Sequence, residues 1–137
     1  MKSRNQSHEL IMTCIYVGLT YAKINEPLDI ISIMEGIYNA DYEEIDVFDR
    51  EMIVKTFINF DSIVEEISKY LRKWKFNRLS RITQSILLLS YTHAKIIGDV
   101  DKAVVIDVAV RLSKKFDDKD IYKFINAILD NLLWTKS

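Results

Sequence analysis

The side chains able to do covalent or metal chemistry are few and scattered in this chain. Cys14 is its single cysteine, and the two histidines, His8 and His93, fall on different predicted helices. One thiol cannot build a structural zinc site, and no helix carries two histidines at ligand spacing. Cys14 sits among apolar residues, which suits a small core side chain better than an activated thiolate. With no second cysteine to pair with, it points to a reducing, cytoplasmic setting. Gly18, Gly36 and Gly98 are isolated, so they form no glycine-rich phosphate cradle. The acidic run Asp41, Glu43, Glu44 and Asp46 lacks the ligand spacing of a calcium loop and reads as a solvated loop. Nothing in the sequence brings nucleophile, base and orienting group together, so no catalytic residue, metal or cofactor is expected.

The cations carry more information. From position 69 to 81 the chain places Lys69, Arg72, Lys73, Lys75, Arg78 and Arg81 without an acid among them, and interleaves Tyr70, Trp74 and Phe76. Before Glu9 the only formal charges are Lys2 and Arg4. Cations for phosphates and rings for unpaired bases are what single-stranded RNA requires. The same stretch also suits a connector whose Trp74 and Phe76 anchor in a core while the Lys and Arg solvate it.

The elements that must position these groups follow from composition and periodicity. The 137 residues are 49% hydrophobic, which suits one domain, 1–137, able to bury a core without disulfides or metal. Three Gly and one Pro are too few for the tight turns of a sheet protein, so an all-α fold is expected. No run of about 18 apolar residues exists, so no membrane span is expected. The polar start, residues 1–9, has no signal-peptide core. Nineteen Lys and Arg against twenty Asp and Glu give a net charge of -1, so any nucleic-acid face must be local.

Apolar spacings of three and four predict a first helix over 3–24, capped by Ser3 or Ser7. Asn25-Glu26-Pro27 breaks it, and a short helix over 28–38 follows. A third helix is predicted over 46–71, with Asp61-Ser62 as a bend or a new start. A fourth, nearly all apolar from 86 to 89 and therefore central, covers 78–97 and ends at Gly98. A fifth over 102–116 is capped by Asp99 or Asp101, and a sixth over 119–134 by Asp117-Asp118. The expected architecture is a compact bundle of about six to seven helices.

Three stretches carry a resemblance over nearly the whole chain. The first is Arg4, Glu9 and the Ile15-Tyr16 pair; the second is Trp74 followed by Arg78-Leu79. The third and most specific comprises residues 106–114 with Phe116, then 123–130, Lys-Phe-Ile-Asn-Ala-Ile-Leu-Asp. Together they resemble the NusB family of transcription antitermination factors. The departures are Asp107-Val108 for the family's Asn-Glu and Ala127 for its Gly. The arm is thinner, with Gln6 and His8 where Arg is frequent. Thr83 and Leu88 stand in the helix where the family usually has an acid and an Arg, and some of those groups face a protein partner in the family.

The resemblance implies a non-enzymatic RNA-binding factor. Such a factor binds boxA-like single-stranded RNA in ribosomal-RNA transcripts together with a small-subunit ribosomal protein (NusE). It acts in an antitermination complex with RNA polymerase, and some members form homodimers. Carried over by position, the RNA face comprises Lys2, Arg4 and Asn5 on the arm, Tyr16 on the first helix, and Asp120, Lys123 and Phe124 at the start of the last. Two other readings compete. One is a helical protein-interaction module with little RNA affinity of its own. The other is a domain related to that preceding the catalytic part of some RNA cytosine methyltransferases.

Overall fold

The computed structural model describes residues 3–24 and 28–134. Lys2 and the Asn25-Glu26-Pro27 breaker lie outside the described residues. Among the described residues there are seven α-helices and no strand: α1 (Arg4–Lys23), α2 (Ile30–Tyr38), α3 (Val47–Ile58), α4 (Phe60–Ser68), α5 (Arg81–Tyr91), α6 (Lys102–Phe116) and α7 (Ile121–Trp134).

The helix starts are made by short polar side chains. Ser3 and Gln6 form a reciprocal capping box at α1: Gln6 N–H donates to Ser3 Oγ (3.2 Å) and Ser3 N–H to Gln6 Oε1 (2.8 Å). Ser80 Oγ accepts from Thr83 N–H at the start of α5, and Asp101 Oδ1 from Ala103 N–H at the start of α6. Of the alternatives left open by the sequence, Ser3 and Asp101 are therefore the caps.

α5 is the central helix. Ile86, Leu87, Leu88 and Leu89 are all at most 1% exposed, and α1, α3, α4, α6 and α7 all pack against this helix. Each such side chain contributes roughly 1.5–3 kcal/mol on burial. Leu88 belongs to this core, so it is unavailable to a partner surface.

Three boundaries differ from expectation. The segment 46–71 is two helices, and the break falls at Asn59 rather than at Asp61-Ser62. Asn59 Nδ2 donates to Lys55 O (2.8 Å), while its own carbonyl accepts from Ile63 N–H and Ser62 Oγ. A short amide that competes for backbone partners ends one helix and starts the next. The helix expected over 78–97 begins at Arg81 and widens into a π-helical segment, Thr92–Ile97. There Gly98 N–H reaches back to His93 O (2.9 Å), with Gly98 at φ 72°. The last helix begins at Ile121, not 119. Asp117 closes α6, and Asp120 turns the chain at φ 71° before α7 starts.

Gly18 of α1 lies against α3, where an added Cβ would collide with the Phe57 ring. Gly18→Ala is therefore expected to destabilise the fold by about 1–3 kcal/mol through overpacking, read as a lower urea midpoint with an unchanged m-value.

Candidate nucleic-acid interface

The start of α1 is held by an aromatic cluster. The Arg4 guanidinium lies 4.3 Å from the Phe48 ring centroid, while its side chain stays exposed. Phe48 in turn packs edge-on against His8 (6.1 Å) and His93 (5.3 Å), whose rings are 5.7 Å apart. Both histidines are buried. Burial, then the charges of His93, Arg4 and Arg111, push the His8 pKa down to about 4. Burial, then Arg4, lowers that of His93. Burial thus disfavours the charged form of both rings, which pack under the arm. Asn5 is exposed beside Arg4.

Tyr16 lies three turns further along α1 and is 37% exposed. Arg81, the first residue of α5, sits 5.5 Å from its ring centroid and donates to Thr20 Oγ1 at 2.8 Å. Thr20 Oγ1 donates to Tyr16 O (2.9 Å), so one cation organises two turns of α1. Of the interleaved aromatics in the basic stretch, Trp74 is 57% exposed and Phe76 is in the core. Gln84 Nε2 pins this connector through Phe76 O (2.8 Å) and Leu79 O (3.2 Å).

The α6–α7 turn is tied to α5 by Thr83 Oγ1, which donates to Asp117 Oδ2 at 2.6 Å. Thr83 is itself buried, so like Leu88 it is a structural residue in this chain. Asp117 Oδ1 accepts from Asp118 N–H (2.9 Å) and stiffens the turn. Beyond it, exposed Lys123 Nζ stands 3.7 Å from Asp120 Oδ1. Phe124 is half-buried. It touches the core and lines a groove of about 320 Å³ with Trp74, Arg78, Thr83, Asp118 and Ile121.

The expected residues therefore fall in three places: Arg4 and Asn5 at the start of α1, Tyr16 beside Arg81, and Asp120, Lys123 and Phe124 at the start of α7. Lys2 lies outside the described residues. Arg81, signalled only by the basic-aromatic stretch, joins Tyr16, and Trp74, which also belongs to the resemblance, joins Phe124. Lys115 Nζ bridges α6 to α1 through both Glu9 oxygens (2.8 and 3.0 Å) and had no local sequence signal. Among the described residues no group of three or more His, Cys, Asp or Glu could hold a metal. Cys14 is fully buried, and burial, with Asp49, pushes its thiol up to about 12, so it is inert at neutral pH. No helix of the described residues is long and apolar enough to cross a membrane.

The NusB family profile matches residues 8–133. The chain belongs to the NusB family. The transcription antitermination protein NusB of Wolinella succinogenes is 32% identical over 133 residues, covering 96% of this chain and 95% of its own. That of Bacillus licheniformis is 26% identical over 132 residues, covering 96% of each. T. maritima NusB superposes with a TM-score of 0.84 at 25% identity, over 96% of this chain and 91% of its own. A chain in the crystal structure of a plectonemic RNA supercoil shares the fold, with a TM-score of 0.78 at 18% identity. Within this NusB fold, the buried His8–His93 pair supports the exposed Arg4 at the head of α1.

That support is pH-sensitive. The folded state holds the His8 proton more weakly than the unfolded chain does, so between the ordinary value of 6.5 and about 4 the unfolded state binds more protons. Stability is then full above this window and falls as the pH drops through it, by on the order of 2 kcal/mol. Urea unfolding at a series of pH values checks this, and His8→Phe should flatten the slope in that window.

Proposed function

We propose that this chain is an RNA-binding transcription antitermination factor. It would bind a boxA-like single-stranded RNA of ribosomal-RNA transcripts jointly with a small-subunit ribosomal protein of the NusE type, within an antitermination complex on RNA polymerase. The observation that carries this reading is the family match over nearly the entire chain, joined to relatives that are antitermination proteins. On this reading the chain is one RNA-binding domain, acts in the cytoplasm and catalyses no reaction.

The residues have distinct roles. Lys2, Arg4 and Lys123 meet phosphates. Asn5 and Asp120 hydrogen-bond base edges or a 2′-hydroxyl. Tyr16 and Phe124 offer ring faces, Tyr16 at the margin shared with the protein partner. The Lys123–Asp120 pair is exposed on both sides, so a phosphate can displace the carboxylate at little cost.

One observation favours a second reading. Arg4 is already stacked on Phe48, Arg81 on Tyr16, and Lys115 is paired with Glu9. Cations engaged in this way suit a protein-interaction module with little RNA affinity of its own. Capture of the ribosomal partner that survives ribonuclease, with no RNA shift by the complex, would establish it.

Fluorescence anisotropy with boxA-like and scrambled RNA, with the ribosomal partner at several salt concentrations, tests the first reading. Preference for the boxA-like RNA is expected. Three phosphate contacts set a log–log salt slope at least as steep as about −2. Lys2→Ala with Arg4→Ala should make it about 1.4 shallower. Phe124→Ala should weaken binding by roughly 1–3 kcal/mol without changing the slope. Equal, weak binding to both RNAs would overturn the reading.

A further inference from the structure

The starts of α1 and α7, which hold the cations assigned above, are joined across the surface by a third element. α6 packs against both α1 and α7, and its last two turns reach each of them through cations. On one flank Lys115 Nζ holds Glu9 of α1 at 2.8 Å. On the other, Lys114 Nζ lies 4.7 Å from the ring centroid of Tyr122, which also faces Lys123 at 6.0 Å. Arg111 stands close enough to the head of α1 for its charge to act on His8. Asp107, Val110, Arg111, Lys114 and Lys115 line one shallow concavity of about 540 Å³. Their spacing of three and four residues places them on a single helix face.

Arg111 and Lys114 are exposed and hold no ion pair among the described residues, whereas Lys115 is engaged by Glu9. A cation near a helix C-terminus complements the helix dipole, which accounts for Lys114 and Lys115 in the last turn. Arg111 lies a turn earlier, where that effect has faded. Its planar fork suits a phosphate better than a diffuse carbonyl charge.

We propose that this face of α6 is a phosphate track that carries a single-stranded RNA backbone from the head of α1 to the start of α7, with Arg111 and Lys114 each meeting a phosphate. The two residues are about 4.5 Å apart along the axis, so their long side chains can serve neighbouring phosphates. The carboxylate of Asp107 lies at the far end of the concavity and would repel the backbone there, which limits the track to the last two turns. The track rests on the RNA-binding reading above and assigns residues that reading leaves idle.

The test is the salt dependence of boxA-like RNA binding by the full chain with its ribosomal partner. Two further phosphate contacts steepen the wild-type slope to about −3.5, and Arg111→Gln with Lys114→Gln returns it to about −2. Arg111→Glu with Lys114→Glu should weaken binding further. Lys102→Gln, at the opposite end of α6, should leave the slope unchanged. Circular dichroism melts separate the track from a purely structural role. A lower melting temperature for the Gln variant with an unaltered slope would overturn the track and leave dipole complementation in its place. Binding by the wild type with the same slope in all variants would overturn the track alone. Absence of any boxA preference in the wild type would overturn the functional reading and the track with it.

Discussion

The constraint on which the fold turns is that α5 cannot meet water on any side. Four consecutive apolar residues from 86 to 89 point around the full circumference of a helix, so other helices must enclose it. That enclosure sets where the surface elements lie. α1 is drawn across α5, and α6 and α7 close another side. The polar ends of α5 then become fastening points. Ser80 caps its start, Arg81 reaches Thr20 on α1, and Thr83 donates to Asp117 in the α6–α7 turn. The last two of these polar contacts, at one end of a buried helix, thus fasten α1 and the α6–α7 turn to the same end of α5. The residues proposed for RNA within the described part of the chain lie on α1, at the start of α7 and on the last turns of α6 between them.

The rim is assembled from cations that the protein already uses. Arg4 packs on Phe48, Arg81 on Tyr16, and Lys115 pairs with Glu9. Such contacts restrict side chains that would otherwise be free, and a restricted cation loses less entropy on meeting a phosphate. They also lower the field available to RNA, because each carboxylate in a pair must be displaced or tolerated. Preorganisation and partial neutralisation act in opposite directions. A face built this way gains most when a protein partner adds contacts of its own, since the cost of ordering is already met.

Most of the fold was legible because its helices bury one stripe, and spacings of three and four record that stripe directly. α1, α2, α6 and α7 appear within a few residues of their expected bounds. The failures have a common cause. The apolar pattern runs through Asn59 unchanged, so only the amide's bond to Lys55 O reveals the break. The π segment after Tyr91 changes hydrogen-bond register without altering which residues are apolar. Asp120 takes a left-handed turn that glycine would have announced. Among the proposed site residues, charge marked Arg4, while Lys123 entered only through the family resemblance. Phe124 was ambiguous because a groove wall and a core look alike in one dimension. Arg111 and Lys115 carried no signal because their meaning lies in the helices on either side of them.

The near-zero net charge also reads differently once the acids are placed. Asp41 and Glu44 form a reciprocal cap on the short turn Tyr42–Glu44, and Glu35 accepts from Tyr42 N–H at 2.9 Å. Asp49 is buried and accepts from Tyr38 Oη at 2.8 Å, with burial and that carboxylate pushing the tyrosine pKa up. Glu51 pairs with Lys55 on α3, and Glu66 of α4 pairs with Lys69 just beyond that helix. These acids belong to α2, α3, α4 and the loop between α2 and α3, where they cap, pair or pack. Part of the charge that sums against the cations is thus engaged in holding those elements. A single strand approaching Arg4, Arg111, Lys114 and Lys123 would meet cations that are all exposed. It responds to charges within about a Debye length of its phosphates, and acids farther away than that are screened.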